Sequence, residues 1–189
     1  MRANARVVAL RAVACAAVLV LTSAAIAGTD CNTHRRVSTW MGKRAKAASL
    51  PAQLPVMAAL VESGLRNLPP SEAGNAGFFQ MRVSLWDQGK YAGFPGDPEL
   101  QMKWFIDHAL AVRAARVAAG DITFGRDPAT WGEWAAEVLR PARHLRGLYQ
   151  LRLREAGTLV AGRCRTSRRS LAMAPGRETV VAFGESVQR

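Results

Sequence analysis

The sequence predicts a mainly α-helical protein with a single domain, and three observations lead to this fold class. Apolar residues recur at helical spacing along most of the chain, and no run alternates apolar and polar residues strongly enough for a core sheet. Proline and glycine stand where helices would begin and end. The chain has 189 residues, 49% of them hydrophobic and 21% charged, which is typical of one globular domain.

Five helices are predicted in order along this domain. The first is basic and runs from about residue 33 to residue 49, and Pro51 opens a second that Gly64 ends. A loop over residues 66–77 follows. Asp97-Pro98 starts a long helix that Gly120 stops. Asp127-Pro128 repeats this start signal for a helix that Pro141 breaks, and a last leucine-bearing helix runs to Gly157.

The two ends of the chain are predicted to lie outside the domain. Three arginines precede an apolar run over residues 12–21, and Ala25-Ile26-Ala27 fits the A-x-A pattern of signal peptidase sites. We therefore expect residues 1–27 to be a signal peptide, because the run is short for a membrane anchor. The mature chain is then secreted or periplasmic, without stable membrane insertion. Its domain covers residues 28–164, and residues 165–189 form a flexible basic tail.

The net charge of the chain is +12, from 26 Lys and Arg against 14 Asp and Glu. A strongly basic protein suits a partner rich in negative charge, such as nucleic acid, anionic lipid or an acidic polymer. The arginines are spread over several segments and the chain carries an export signal, so we do not expect nucleic acid binding. The basic surface would suit the anionic polymers of a cell wall, and we expect the protein to be a monomer.

Cys31 and Cys164 are the two cysteines that remain after signal cleavage. An oxidising compartment favours joining them, and the bridge would stabilise the domain by roughly 5 kcal/mol on a loop-entropy model. The alternative is half of a metal site, because Cys31 and His34 have C-x-x-H spacing. No second pair at metal spacing occurs in the sequence, so we expect the disulfide and no metal.

Glu62 is the candidate catalytic acid. Six apolar residues lead directly into it, and Gly64 places it in the last turn of the predicted helix. Desolvation and the negative end of the helix both disfavour an ionised carboxylate, so both raise its pKa. A carboxylic acid that is still protonated near neutral pH is what general acid catalysis requires. The alternative is an ordinary solvated glutamate at a helix end.

A second candidate segment, Gly77-Phe78-Phe79-Gln80, follows the predicted loop. Glycine allows close approach of a ligand to the backbone, and the Gln80 amide suits sugar hydroxyl and acetamido groups. Trp86 and Trp131 offer flat apolar faces on which pyranose rings stack. Trp134, one helical turn after Trp131, is expected to fill the core instead.

Two motifs together resemble those of lysozyme-like lytic transglycosylases of the soluble type. They are Ala58-Ala59-Leu60-Val61-Glu62-Ser63-Gly64-Leu65 and Gly77-Phe78-Phe79-Gln80, within a similarity that spans about residues 51–149. The resemblance implies a lysozyme-like domain with a catalytic cleft. It also implies that Glu62 is the single catalytic acid and that Ser63 helps to hold it. The substrate-binding residues are then expected to include Ser63, Gly77, Phe78 and Gln80. The family's third motif, an Ala-Tyr-Asn-like stretch on a later helix, has no clean match in this sequence. Trp131-Gly132-Glu133-Trp134 lies where it would be expected.

The activity implied by this resemblance is cleavage of the MurNAc–GlcNAc bond in peptidoglycan glycan strands, without metal or organic cofactor. Glu62 would protonate the leaving oxygen and then accept the proton of the muramoyl C6 hydroxyl, forming 1,6-anhydromuropeptides. One alternative is a hydrolytic lysozyme (a muramidase), which needs a second carboxylate, for which Glu72, Asp87 and Asp97 are candidates. The other alternative is a non-catalytic wall-binding protein that keeps the cleft.

Overall fold

A computed structural model describes residues 31–163, and this part of the chain is mainly helical, as predicted. The predicted signal peptide, Cys164 and the tail over residues 165–189 lie outside the described residues, so signal cleavage and the Cys31–Cys164 disulfide stay predictions. Within residues 31–163, no helix has both the length and the apolar character that a membrane span requires.

The first two helices form close to their predicted positions. Helix α1 covers 31–47, and helix α2 covers Gln53–Glu62. The start of α2 differs from the prediction, because Pro51 stays in the preceding turn and its carbonyl accepts the N–H of Leu54 at 3.1 Å. Beyond Glu62 the chain turns through Gly64 at a φ of 62°, which confirms the predicted end of this helix.

The predicted loop over residues 66–77 ends in a short antiparallel hairpin. Strand β1 (Asn75–Ala76) pairs with strand β2 (Met81–Arg82), with Ala76 opposite Met81. Each strand has two residues, which explains why no alternating pattern marked it. Helix α3 (Val83–Trp86) and a 3₁₀ turn over Gly89–Tyr91 follow directly.

The two Asp-Pro start signals behave differently. Asp97 caps helix α4 (Pro98–Ala118), since its Oδ1 accepts the N–H of Glu99 at 2.8 Å, as predicted. Asp127 instead caps a 3₁₀ turn over Pro128–Thr130, and helix α5 (Trp131–Leu139) begins only after this turn. Arg140 then ends α5 in the left-handed conformation, one residue before Pro141.

The prediction of one continuous last helix is wrong. Its place is taken by a 3₁₀ turn over Arg143–Leu145 and by two short helices, α6 (Leu148–Leu151) and α7 (Leu153–Val160). Helix α7 continues through Gly157, because Leu159 packs into the core and burial outweighs the helix-breaking tendency of glycine. The three leucines on which the prediction depended are exposed: Leu145, Leu148 and Leu151.

The core surrounds α2, which packs against α5, α6 and α7. Trp134 is 1% exposed and its indole N–H donates to the carbonyl of Ala109 at 3.1 Å, so its predicted place in the core is confirmed. α2 is buried along most of its length, because seven successive buried residues, from Leu54 to Leu60, leave no polar face. The last residue of this buried helix is Glu62.

Candidate active site

Glu62 lies at the C-terminal end of α2, partly buried, with one hydrogen-bond partner among the described residues. The hydroxyl of Tyr149 donates to its Oε1 at 2.5 Å. The other carboxyl oxygen, Oε2, has no protein donor or acceptor in residues 31–163. Because Oε1 is occupied by a donor, a proton on the neutral carboxyl is directed to Oε2.

Burial raises the pKa of Glu62 above its ordinary value of 4.5, and the hydrogen bond from Tyr149 lowers it in part. The raised pKa agrees with the prediction, which named desolvation as one cause. The opposing effect of Tyr149 follows from its donated proton, which stabilises the ionised carboxylate. The carboxyl is therefore a stronger proton donor than burial alone would leave it, and it stays closer to neutral than a solvated glutamate.

Tyr149 is a candidate site residue that no sequence pattern indicated. It lies on α6, 0% exposed, and burial followed by its contact with Glu62 raises the pKa of its hydroxyl. The phenol is thus a neutral donor throughout the physiological range. The sequence carried one signal, which is that tyrosine occurs at two positions only. The hydroxyl of the other tyrosine, Tyr91, donates to Asp107. Because Tyr149 and Glu62 are 87 residues apart in the sequence, their contact leaves no local sequence pattern.

Ser63 joins the two predicted motifs and lies inside the protein, at 5% exposure. Its hydroxyl is 2.9 Å from the carbonyl oxygen of Phe78 and 3.1 Å from that of Ala59, one turn earlier in α2. The side chain therefore positions the segment after the loop against the end of the Glu62 helix. This geometry suits the predicted role of holding the site, and it leaves Ser63 without a surface for substrate.

Gly77 and Phe78 are fixed by Gln101 of α4, a buried residue that no sequence pattern indicated. The Oε1 of Gln101 accepts the N–H of Phe78 at 2.8 Å. Gly77 has a φ of 81°, and a Cβ there would lie 2.4 Å from the same Oε1. Glycine is thus required by both backbone conformation and space. Both polar groups of the Phe78 peptide are held, by Gln101 and by Ser63.

The Phe78 side chain does not line the cleft predicted around Gln80. It is 5% exposed and packs beside Trp40 with ring centroids 6.1 Å apart, at a separate depression next to α1. The Phe78 side chain is directed away from Gln80 because the two residues stand on opposite sides of the tight turn of the hairpin. Within residues 31–163, Phe78 is therefore a packing residue.

Gln80 and Trp86 line a common cleft of about 330 Å³, as their predicted roles require. Gln80 has a φ of 48°, and its side-chain amide donates to the carbonyl of Gly77 at 3.0 Å. The Trp86 ring lies edge-on to the rings of Trp104 and His108, with centroids 5.4 and 4.9 Å away. Asn75, Arg82 and Arg140 also belong to the polar part of the lining, whereas Glu62 and Tyr149 are not among the lining residues. This cleft joins two amides, an aromatic face and two cations.

His108, which had no predicted role, also lines this cleft. Its Nδ1 lies 2.7 Å from the carbonyl oxygen of Trp104, one turn earlier in α4. Burial lowers the pKa of its imidazole, although the hydrogen bond with Trp104 and the charge of Asp107 oppose this effect in part. The ring is therefore a neutral part of the wall rather than a third cation.

Trp131 is held away from the cleft around Gln80. Its indole N–H donates to the carbonyl of Gly125 at 2.8 Å, and its ring packs partly buried against the core. Gln150 secures this end of α5, because its Oε1 accepts the N–H of Gly132 at 2.7 Å. Trp131 thus ties the start of α5 to the segment before it, while Gln150 joins α5 to α6, the helix that carries Tyr149.

The conservative change Tyr149→Phe should move the pH dependence of activity. Loss of the donated hydrogen bond removes the contact that lowers the pKa of Glu62, so that pKa rises. Activity that needs protonated Glu62 then persists to higher pH, while the maximal rate falls about tenfold because the carboxyl loses its orientation. A pH–rate profile checks both effects. Tyr91→Phe is the matched control. If the alkaline limb of the pH–rate profile is unchanged in Tyr149→Phe, Tyr149 does not lower the pKa of Glu62.

Among residues 31–163, no group of three or more His, Cys, Asp and Glu side chains could hold a metal ion. No family model matches the chain, and no curated protein or solved structure matches it either. The assignment of function therefore depends on the contacts of Glu62 and on the cleft beside Gln80.

Proposed function

We propose that the protein cleaves the MurNAc–GlcNAc bond of peptidoglycan glycan strands, with Glu62 as its single acid and base in a lysozyme-like domain. The observation that carries this proposal is the Glu62–Tyr149 pair. It combines a partly buried carboxyl, a pKa raised by that burial and one carboxyl oxygen left for substrate. Protonation of a glycosidic oxygen requires a carboxyl of this kind.

The linkage between the two motifs supports the proposal. Ser63 directly follows Glu62, and its hydroxyl contacts the Phe78 carbonyl at 2.9 Å. The segment that brings Gln80 to the cleft is thereby attached to the end of the helix that bears Glu62. An acid group and a sugar-binding amide held on one rigid frame are suited to orienting a glycan bond.

Tyr149 also provides the tyrosine of the resembled family's third motif. Residues 131–134 lie where an Ala-Tyr-Asn-like stretch would be expected, but they contain no tyrosine. Leu148-Tyr149-Gln150 has a tyrosine followed by an amide residue, and its hydroxyl contacts Glu62. This segment is therefore the better counterpart, and it strengthens the resemblance on which the proposal partly depends.

The reaction follows from these groups. Oε2 of protonated Glu62 gives its proton to the glycosidic oxygen as the bond from that oxygen to the muramoyl C1 breaks, with an oxocarbenium-like centre at C1. The resulting carboxylate is stabilised by the hydroxyl of Tyr149 at Oε1. It then accepts the proton of the muramoyl C6 hydroxyl, whose oxygen bonds to C1 and closes the 1,6-anhydro ring. Glu62 ends protonated, ready for another turnover.

Lyase chemistry is preferred to hydrolysis because two of the three candidate second carboxylates have other tasks. Asp97 caps α4 through the N–H of Glu99, and Asp87 accepts the N–H of Gly93 at 2.6 Å. Glu72 is exposed in the loop before the hairpin. A retaining or inverting hydrolase places its second carboxylate across the scissile bond, and neither aspartate is available for that purpose.

Product analysis in ¹⁸O-labelled water tests this chemistry. The purified mature chain is incubated with peptidoglycan sacculi, and soluble products are analysed by mass spectrometry. We expect muropeptides that are lighter by one molecule of water than reducing-end products and that carry no ¹⁸O. Reducing-end muropeptides that contain ¹⁸O would identify a hydrolase instead. Sacculi that stay intact would reject cleavage and favour a wall-binding protein.

A further inference from the structure

The cleft beside Gln80 is cationic on its open side. Arg82, the residue before α3, and Arg140, the residue after α5, both line it and are both exposed. No aspartate or glutamate is part of the lining. A site of this composition attracts an anionic group and repels cations.

Neither arginine is used by the folded domain. The ion pairs within residues 31–163 involve other cations, among them Arg116 with Glu137 and Arg146 with Glu133. Arg82 and Arg140 form no hydrogen bond or ion pair with a side chain of this range. Their planar donor groups are therefore free to bind a carboxylate in a bidentate manner.

The backbone at the cleft is also unusual. Of the four non-glycine residues described with a positive φ, two line this cleft, Gln80 at 48° and Arg140 at 52°. Glycine is the favoured residue at such a helix end, because a side chain there costs free energy. Strain of this kind is retained where a side chain has a task other than folding. Arg140 is therefore a candidate ligand-binding residue.

We propose that Arg82 and Arg140 bind a carboxylate carried by the muramoyl unit of the glycan, which makes this cleft the determinant of substrate choice. The inference rests on the proposed function. In the glycan, GlcNAc units are neutral, whereas each muramoyl unit bears a lactyl group that ends either in a free carboxylate or in an acidic stem peptide. A cleft with two unpaired guanidinium groups distinguishes muramoyl glycans from chitin-like polymers of GlcNAc.

Binding to defined glycans tests the proposal without requiring turnover. The full mature chain with Glu62→Gln is titrated with muroglycan oligomers that carry stem peptides, and with the same oligomers stripped to free lactyl carboxylates. Each probe is compared with its methylamidated form and with a chitin oligomer. We expect carboxylate-bearing glycans to bind about tenfold more tightly than the amidated ones. The probe that loses affinity on amidation identifies the source, lactyl group or stem peptide.

Arginine variants assign this preference to the cleft. Arg82→Gln and Arg140→Gly should each reduce it about threefold, and the double variant should abolish it. Arg140→Gly relieves the left-handed strain, so its melting temperature should not fall below that of its parent. Arg143→Gln, an exposed arginine outside the cleft lining, is the matched control and should leave the preference unchanged.

The outcomes separate this inference from the proposed function. A carboxylate preference that depends on both arginines supports the inference even if the wild-type chain releases no product from sacculi. Equal affinity for native and amidated glycans, a preference that survives the double variant, or no binding of any glycan would overturn it. Product release without a carboxylate preference would leave the proposed cleavage standing and reject only this cleft.

Discussion

Glu62→Gln should abolish glycan cleavage while making the folded protein more stable at neutral pH. Glutamine keeps an oxygen that can accept the hydroxyl of Tyr149, so the local structure is retained, but it has no proton to transfer. Loss of a general acid lowers the rate by about a thousandfold. Release of soluble products from sacculi, measured for the variant and the wild type at equal concentration, checks this effect.

The gain in stability has a definite pH dependence. Burial raises the folded-state pKa of Glu62 above 4.5, so the native wild type binds this proton more tightly than the unfolded chain does. Its free energy of unfolding therefore falls as the pH rises from 4.5 through the raised pKa. The variant has no such titration, so its advantage should grow over this window and vanish below it. Thermal unfolding across pH measures the difference, and a less stable variant at neutral pH would contradict the burial of Glu62.

Gly77→Ala should destabilise the protein by about 3 kcal/mol, the sum of an unfavourable backbone conformation and a steric clash. The φ at this position is 81°, and the new Cβ would lie 2.4 Å from Oε1 of Gln101. Gln101 would have to move, and with it the bond that holds the N–H of Phe78. Because the same segment carries Gln80, activity should fall as well. Denaturant unfolding and product release measure the two losses.

Gly74→Ala is the matched control for this prediction. Gly74 has a similar φ of 76°, but nothing lies within 4 Å of its added Cβ. It should lose only about 1 kcal/mol, because the backbone penalty acts without the clash. Similar losses in the two variants would show that the contact with Gln101 is not what requires glycine at position 77.

The features that the sequence predicted best are those encoded in neighbouring residues. The position of Glu62 follows from an apolar run that ends in a polar residue two positions before Gly64, and the α4 start follows from Asp97-Pro98. Each signal works within one helical turn. The mainly helical fold, the helix end at Glu62 and the buried Trp134 were predicted correctly for this reason.

The missed features depend on contacts between distant parts of the chain. Tyr149 reaches Glu62 across 87 residues, and Gln101 reaches the Phe78 amide across 23. The split of the last helix was missed as well, because packing turns Tyr149 and Leu159 inward and leaves Leu151 at 77% exposure. Tertiary packing, rather than local propensity, decides such cases. The contact of Tyr149 with Glu62 is likewise invisible in the residues around 131–134, where the third motif of the resembled family was expected.

The most direct test is whether the purified mature chain releases anhydromuropeptides from sacculi. Wild type and Glu62→Gln are incubated side by side, and soluble products are identified by mass spectrometry. The site described here predicts 1,6-anhydromuropeptides from the wild type and none from the variant. Equal release by both proteins, or no release by the wild type, would contradict the assignment of Glu62 as the acid that cleaves the glycan.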